Sequence, residues 1–108
     1  MSKARTLPML LILAFVWCGQ ARADGTQDNF MHNCAVCHGP DGRAKTPVAK
    51  KLGVKNLVES KLDLPAIEKQ ITFGTKDAAG ATKMPAFSPK LSSQEITGLA
   101  GYVKALQH

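Results

Sequence analysis

Apolar residues recur at helical spacing in three stretches of this chain, and clusters of breakers separate them. The C-terminal stretch is the clearest. Ile96, Leu99, Val103 and Leu106 fall on one helical face, with Tyr102 beside them. Ser92-Ser93-Gln94-Glu95 in front of that face predicts a capping box, in which Ser92 and Glu95 each satisfy a main-chain N–H at the helix start. A second helix is predicted from about Asp63–Pro65 to Gly74, with Asp63 as N-cap, proline in the first turn, and Leu64, Ile67 and Ile71 as its apolar face. The first runs from about Thr26 to Cys37, carries Phe30 and Cys34 on one side, and ends near the breaker run Gly39-Pro40-Asp41-Gly42. Arg43 to Lys61 is lysine-rich and irregular, punctuated by Pro47 and Gly53, with Leu52, Val54, Leu57 and Val58 as its inward candidates. Gly74 to Lys83 reads as a polar, glycine-bearing loop, and no strand is expected. Gly98 and Gly101 each weaken the last helix by on the order of 1 kcal/mol relative to alanine. Glycine on a helix also permits close approach, so the first and last helices are expected to cross tightly there.

The N-terminus follows a different pattern. Lys3 and Arg5 precede an apolar run from Leu7 to Trp17, interrupted by Pro8, and Ala21-Arg22-Ala23 presents small residues for cleavage. That is the layout of a secretory signal peptide over residues 1–23. The run falls short of the roughly 20 apolar residues a membrane span needs. Cys18 follows the bulky Trp17, where a lipid-attachment site would want a small residue, and is expected to leave with the leader. Asp24 to His108 then forms one exported, periplasmic domain of 85 residues, monomeric and without stable membrane insertion. At that size a polypeptide core is marginal by itself, and a bound apolar group would supply the missing interior. The chain has 14 Lys and Arg against 8 Asp and Glu, a net +6; without Lys3, Arg5 and Arg22 it has 11 against 8, or +3. That excess is too mild for a nucleic-acid binder, and no nucleic-acid motif is present.

The two cysteines left after the leader stand in Cys34-Ala35-Val36-Cys37-His38. Two cysteines with two residues between them and histidine directly after is the arrangement of a c-type haem attachment site. Each thiol adds to one vinyl group of the porphyrin, and one helical turn separates the thiols by a matching span. Fixing Cys37 brings His38 under the macrocycle, where its imidazole can ligate iron. A soft donor is then wanted on a distant segment. Met84 fits, because the following Pro85 biases it toward an extended conformation and out of any helix. Met31 lies three residues from Cys34 on the same helix and cannot reach the far side. A thioether opposite histidine favours ferrous iron and suits an electron carrier.

Together these residues resemble class I cytochrome c, the small soluble monohaem kind: Phe30, the Cys34 to Gly39 run, Asp41-Gly42, Met84-Pro85 with Phe87, and the last helix with Tyr102. The resemblance spans nearly all of Asp24 to His108. It implies an all-α cytochrome c fold, with three or more short helices and loops around one covalently bound haem c and the N- and C-terminal helices packed together. It implies thioether bonds at Cys34 and Cys37, axial ligation by His38 and Met84, and one-electron transfer between redox proteins without substrate turnover. It further points to Pro47 as the residue whose carbonyl orients His38, and to Arg43 as a partner for the propionates. A glycine or alanine would be expected eight residues before Cys34, where this chain has Thr26.

Other readings of the same residues stand beside this one. A haem enzyme would need an open iron position, which Met84 closes, and a distal acid–base group, absent from Lys83 to Ser88. Zinc would want more donors than Cys34, Cys37 and His38, and a redox dithiol would come with a βαβ pattern. His32 reads as a surface histidine and His108 as a frayed terminus. Phe30, Phe73 and Phe87 serve either the porphyrin or the core. Nine lysines from Lys45 to Lys90 offer a positive collar for an acidic partner, and Lys76 and Lys83 lead straight into Met84.

Overall fold

The computed structural model describes residues 21–108, so the predicted leader, with Trp17 and Cys18, lies outside the described residues except for the main chain of its last three. Five helices and one two-stranded sheet follow in order: α1 (Ala21–Asn33), α2 (Ala35–His38), α3 (Pro47–Leu52), a 3-10 turn (Leu57–Glu59), α4 (Leu64–Phe73), β1 (Thr75–Lys76), β2 (Thr82–Met84) and α5 (Ser93–Leu106). Local chemistry places the helix starts. Ser92 and Glu95 form the reciprocal capping box of α5. Asp63 accepts from the Ala66 N–H at the start of α4, and Thr46 does the same for Ala49 at the start of α3, in each case just before a leading proline segment.

The first predicted helix is broken in two. Cys34, at φ −115°, separates α1 from α2, although its N–H still bonds to the Phe30 carbonyl and the His38 N–H bonds back to Cys34. The irregular stretch holds more order than its composition suggested, namely α3 and the 3-10 turn. Only part of its expected inward set is inside: Val58 is buried and Leu57 lies against the core, whereas Leu52 is half exposed. Leu64 likewise faces solvent, leaving Ile67 and Ile71 as the buried face of α4.

The core forms where α5 packs on α4 and α1, around Phe30, Ile67, Ile71, Phe87, Ile96, Leu99, Ala100 and Val103. Phe30 and Leu99 are wholly inaccessible, and burial of each contributes about 1.5–3 kcal/mol. The Phe30 ring lies 4.8 Å from that of Tyr102, tilted by 34°, and Asn29 donates to Glu95 across the same helix pair. At the C-terminus the expected fraying is not seen: the His108 N–H bonds to the Val58 carbonyl, and the side chains of Lys104 and Gln107 both donate to the Leu62 carbonyl.

One of the two glycines of α5 makes the tight crossing. A methyl group on Gly98 would meet Thr26 Oγ1 at 3.0 Å, whereas one on Gly101 would meet nothing within 4 Å. Thr26 therefore has its room from the facing helix: the small residue stands on α5 instead of α1. Gly101→Ala is accordingly expected to stabilise the protein by about 0.5–1 kcal/mol through helix propensity. Gly98→Ala should lose that gain to the contact with Thr26 and regain it in a Thr26→Gly background. Denaturant unfolding of the parent, the three single variants and the Thr26→Gly, Gly98→Ala double variant checks this; equal stabilisation by both alanines would remove the packing role of Gly98.

Candidate cofactor site

Cys34, His38 and Met84 come from a helix break, a helix end and a strand end, and they meet on the wall of one cleft. The rest of the wall is mainly apolar, formed by Phe30, Leu57, Ile67, Ile71 and Val103. Ser60 and the exposed Gln70 mark its polar part. Met84 is half buried against the core, while Met31 is more than a third exposed and absent from the cleft. A more open hollow between α4 and α5, lined by Glu68, Thr72, Ser93 and Thr97 among others, holds none of these donors.

The main chain around the motif is tied in place. The Ala44 N–H bonds to the His38 carbonyl at 2.7 Å, and the Thr46 hydroxyl donates to that of Cys37. Ala44 takes a left-handed φ of 58° to do so, a conformation that L residues adopt at a cost of about 1–2 kcal/mol. Burial holds the His38 imidazole below its ordinary pKa, and a main-chain group of Lys55 acts in the opposite direction, as a carbonyl beside the ring would. His38 is thus kept neutral, the form with a lone pair to give a metal. Its Nδ1 is buried and lacks a hydrogen-bond partner in this arrangement. Pro47, whose carbonyl was expected near that nitrogen, is the first residue of α3.

The two motif cysteines are not joined to each other by a disulfide. Burial, reinforced by the proximity of Cys37, pushes the Cys34 thiol up to about 11. Redox-active CxxC cysteines have lowered values, so this thiol is poorly suited to disulfide exchange. Among the described residues no three His, Cys, Asp or Glu side chains converge to hold one ion, the motif trio included. The donor set instead fits a flat apolar group: two thiols one turn apart, a neutral imidazole, a thioether, and an apolar wall that such a group would cover.

Most of the other residues that the sequence singled out lie outside the cleft. Arg43 turns to Asp41 in an exposed ion pair of 3.7 Å, worth little in solvent. His32 is exposed, its Nδ1 within bonding distance of the Asp28 carbonyl. Of the phenylalanines Phe30 lines the cleft, Phe87 is core, and Phe73 is exposed. Sequence reasoning missed Lys55, whose contribution is a main-chain group without a side-chain signature. It also missed Gly74, legible only as a helix stop. This glycine has φ +70° and ψ −172°, and a methyl group there would collide with the Met84 carbonyl and crowd Pro85 and Ala86.

The segment leading into Met84 is a hairpin where a loop was expected. Thr75 pairs with Met84 and Lys76 with Thr82, which leaves Lys83 as the extra, bulged residue. Asp77-Ala78-Ala79-Gly80-Ala81 closes it, with Gly80 at φ +86°. A three-residue turn ending in a left-handed glycine is a standard hairpin closure, so the signal was present in the sequence. Lys76 and Lys83 are both exposed on this hairpin. No helix among the described residues is long and apolar enough to cross a membrane.

Comparison with known proteins agrees with the geometry. Residues 21–103 match the family model described as cytochrome c oxidase, cbb3-type, subunit III. The chain is 35% identical to cytochrome c6 of Gloeothece citriformis over 98 residues, covering 87% of this chain and 83% of that one. It is 38% identical to cytochrome c6 of Microcystis aeruginosa over 76 residues, covering 70% and 86%. The solved structure of the c-type cytochrome KustC0563 superposes with a TM-score of 0.64 at 25% identity, over 77% of this chain and 98% of that one.

Proposed function

This chain belongs to the cytochrome c family, as a small monohaem class I member with a covalently bound c-type haem, and from that premise we propose how its own residues hold the haem and present it to partners. The protein is an electron carrier and not an enzyme, like its cytochrome c6 relatives. In our reading Cys34 and Cys37 would form the two thioether bonds, and His38 and Met84 would supply the two iron ligands. The observation that carries this is the meeting of Cys34, His38 and Met84 on one apolar cleft, although Met84 lies 46 positions after His38.

When bound, the haem supplies an iron that takes up and releases one electron. The chain does the rest. The thioethers hold the group permanently, so affinity never limits function. Burial keeps His38 neutral and ready to bind metal. Phe30, Ile67, Ile71 and Val103 keep water from the cleft, and a low local dielectric together with a soft sixth ligand favours the reduced state. With His38 and Met84 both engaged, the bound group would offer small substrates no open position. Lys76 and Lys83 place positive charge on the segment that carries Met84, which suits docking of an acidic redox partner.

The site of action is outside the cytoplasm, after removal of residues 1–23. The intact mass of the exported protein tests both assignments. The expected species begins at Asp24 and carries one haem, with Cys34→Ser plus Cys37→Ser carrying none covalently. A mature mass without haem, in cells that mature c-type cytochromes, would overturn the attachment site. A retained N-terminus would overturn only the cleavage.

A further inference from the structure

We propose that Asp77 is a positioning residue for the sixth iron ligand, its carboxylate clasping the hairpin that sets where Met84 is presented. The proposal rests on Met84 being that ligand. Met84 is the last residue of β2, so its place depends on how the chain returns from α4. One side of that return is firmly anchored to α4: the Phe87 N–H bonds to the Ile71 carbonyl at 2.9 Å, and that of Ser88 to Thr72 at 3.3 Å. The other side is only a strand of two residues against one of three, with a bulge between. A ladder so short is marginal by itself.

The Asp77 side chain reinforces it. Oδ1 accepts from the N–H groups of both Ala79 and Ala81, each at 2.9 Å. The main chain adds Asp77 N–H to the Ala81 carbonyl at 2.9 Å and Gly80 N–H to the Asp77 carbonyl at 3.0 Å. Half of these four turn-closing bonds therefore come from one exposed carboxylate. Ala78, Ala79 and Ala81 have no side-chain polar group to replace it. With the clasp gone, Met84 stays tethered from Pro85 onward but loses support from its N-terminal side. The iron–sulfur bond would then open more often, with the rest of the fold intact. A ligand that binds only the open form reports that population directly.

The experiment is imidazole titration of the ferric haem protein, beside its red-edge iron–sulfur absorption band and its urea midpoint. Asp77→Ala should bind imidazole about tenfold more tightly than the parent, with a weakened band and a nearly unchanged midpoint. Asp77→Asn retains an acceptor oxygen for Ala79 and Ala81 and should restore most of the parent behaviour. Gly80→Ala, which strains the same turn at its left-handed residue, should shift affinity in the direction of Asp77→Ala. Parent-like imidazole affinity in Asp77→Ala would overturn the proposal. So would equal impairment in Asp77→Asn, since charge and not the clasp would then be responsible. Met84→Ala is the separate check: an unchanged band in that variant refutes Met84 as ligand, whatever Asp77 does.

Discussion

Replacing Met84 by alanine should abolish the weak red-edge band of the ferric protein, lower its reduction potential, and open the iron to added imidazole or cyanide. The physical reason is the nature of the donor. A thioether is soft and uncharged, and it stabilises ferrous iron relative to ferric. Water or an added nitrogen ligand in its place reverses that preference. The fall should be an appreciable part of the roughly 0.8 V range that axial ligation spans. Met84 also lies against the core, so a moderate loss of stability should accompany the loss of the band. Met31→Ala is the control, since Met31 is more than a third exposed and outside the cleft. Redox titration and ferric absorption spectra settle the point. A band that survives in Met84→Ala would keep the haem, discard this ligand, and return a haem enzyme to consideration.

The second large effect is expected at Gly74, where no side chain is admitted. Its φ and ψ of +70° and −172° lie in a region essentially reserved for glycine. Moreover, the space a methyl group would occupy belongs to the main chain of Met84, Pro85 and Ala86, which cannot swing aside as a side chain would. Gly74→Ala should therefore destabilise the protein by roughly 2–4 kcal/mol and displace Met84, with partial loss of its band. Gly53→Ala provides the contrast. Gly53 is also left-handed, at φ +69°, but has nothing within 4 Å, so only the backbone cost of about 1–2 kcal/mol applies. Denaturant unfolding of the two variants, with the ferric spectrum recorded on each, separates close approach from backbone strain. Equal losses at the two positions would show that contact with the Met84 segment contributes nothing.

Gly74 shows how sequence reading and structure divide the information. As the residue after α4 it was legible as a helix stop, because capping depends on neighbours a few positions away. Its contact with Met84, ten positions on, had no local signature. The capping boundaries of α4 and α5 were readable for the same reason, and so was the Cys34 to His38 motif, since the attachment proposed for it needs its groups close together in the chain. Leu64 failed as a core residue because helical spacing defines an apolar stripe but not how wide a strip the neighbours cover. The hairpin before Met84 was within reach, since Asp77 and Gly80 carry its turn chemistry, yet its strands are too short to show an alternating pattern.

The sequence by itself therefore determined the helical frame and the CxxCH motif, and it proposed Met84 over Met31; each rests on interactions between near neighbours or on elimination among few residues. Tertiary structure alone decided what lies across from what. It buried His38, with Nδ1 unpartnered, close enough to the main chain of Lys55 for that group to act on the ring. It exchanged the small residue of the α1–α5 crossing from the Thr26 position to Gly98, and it closed the cleft by bringing Met84 to the motif. These are contacts between distant segments, made in part by backbone groups that every residue possesses. No residue type announces them, and only packing the chain selects which carbonyl, or which missing side chain, fills each place.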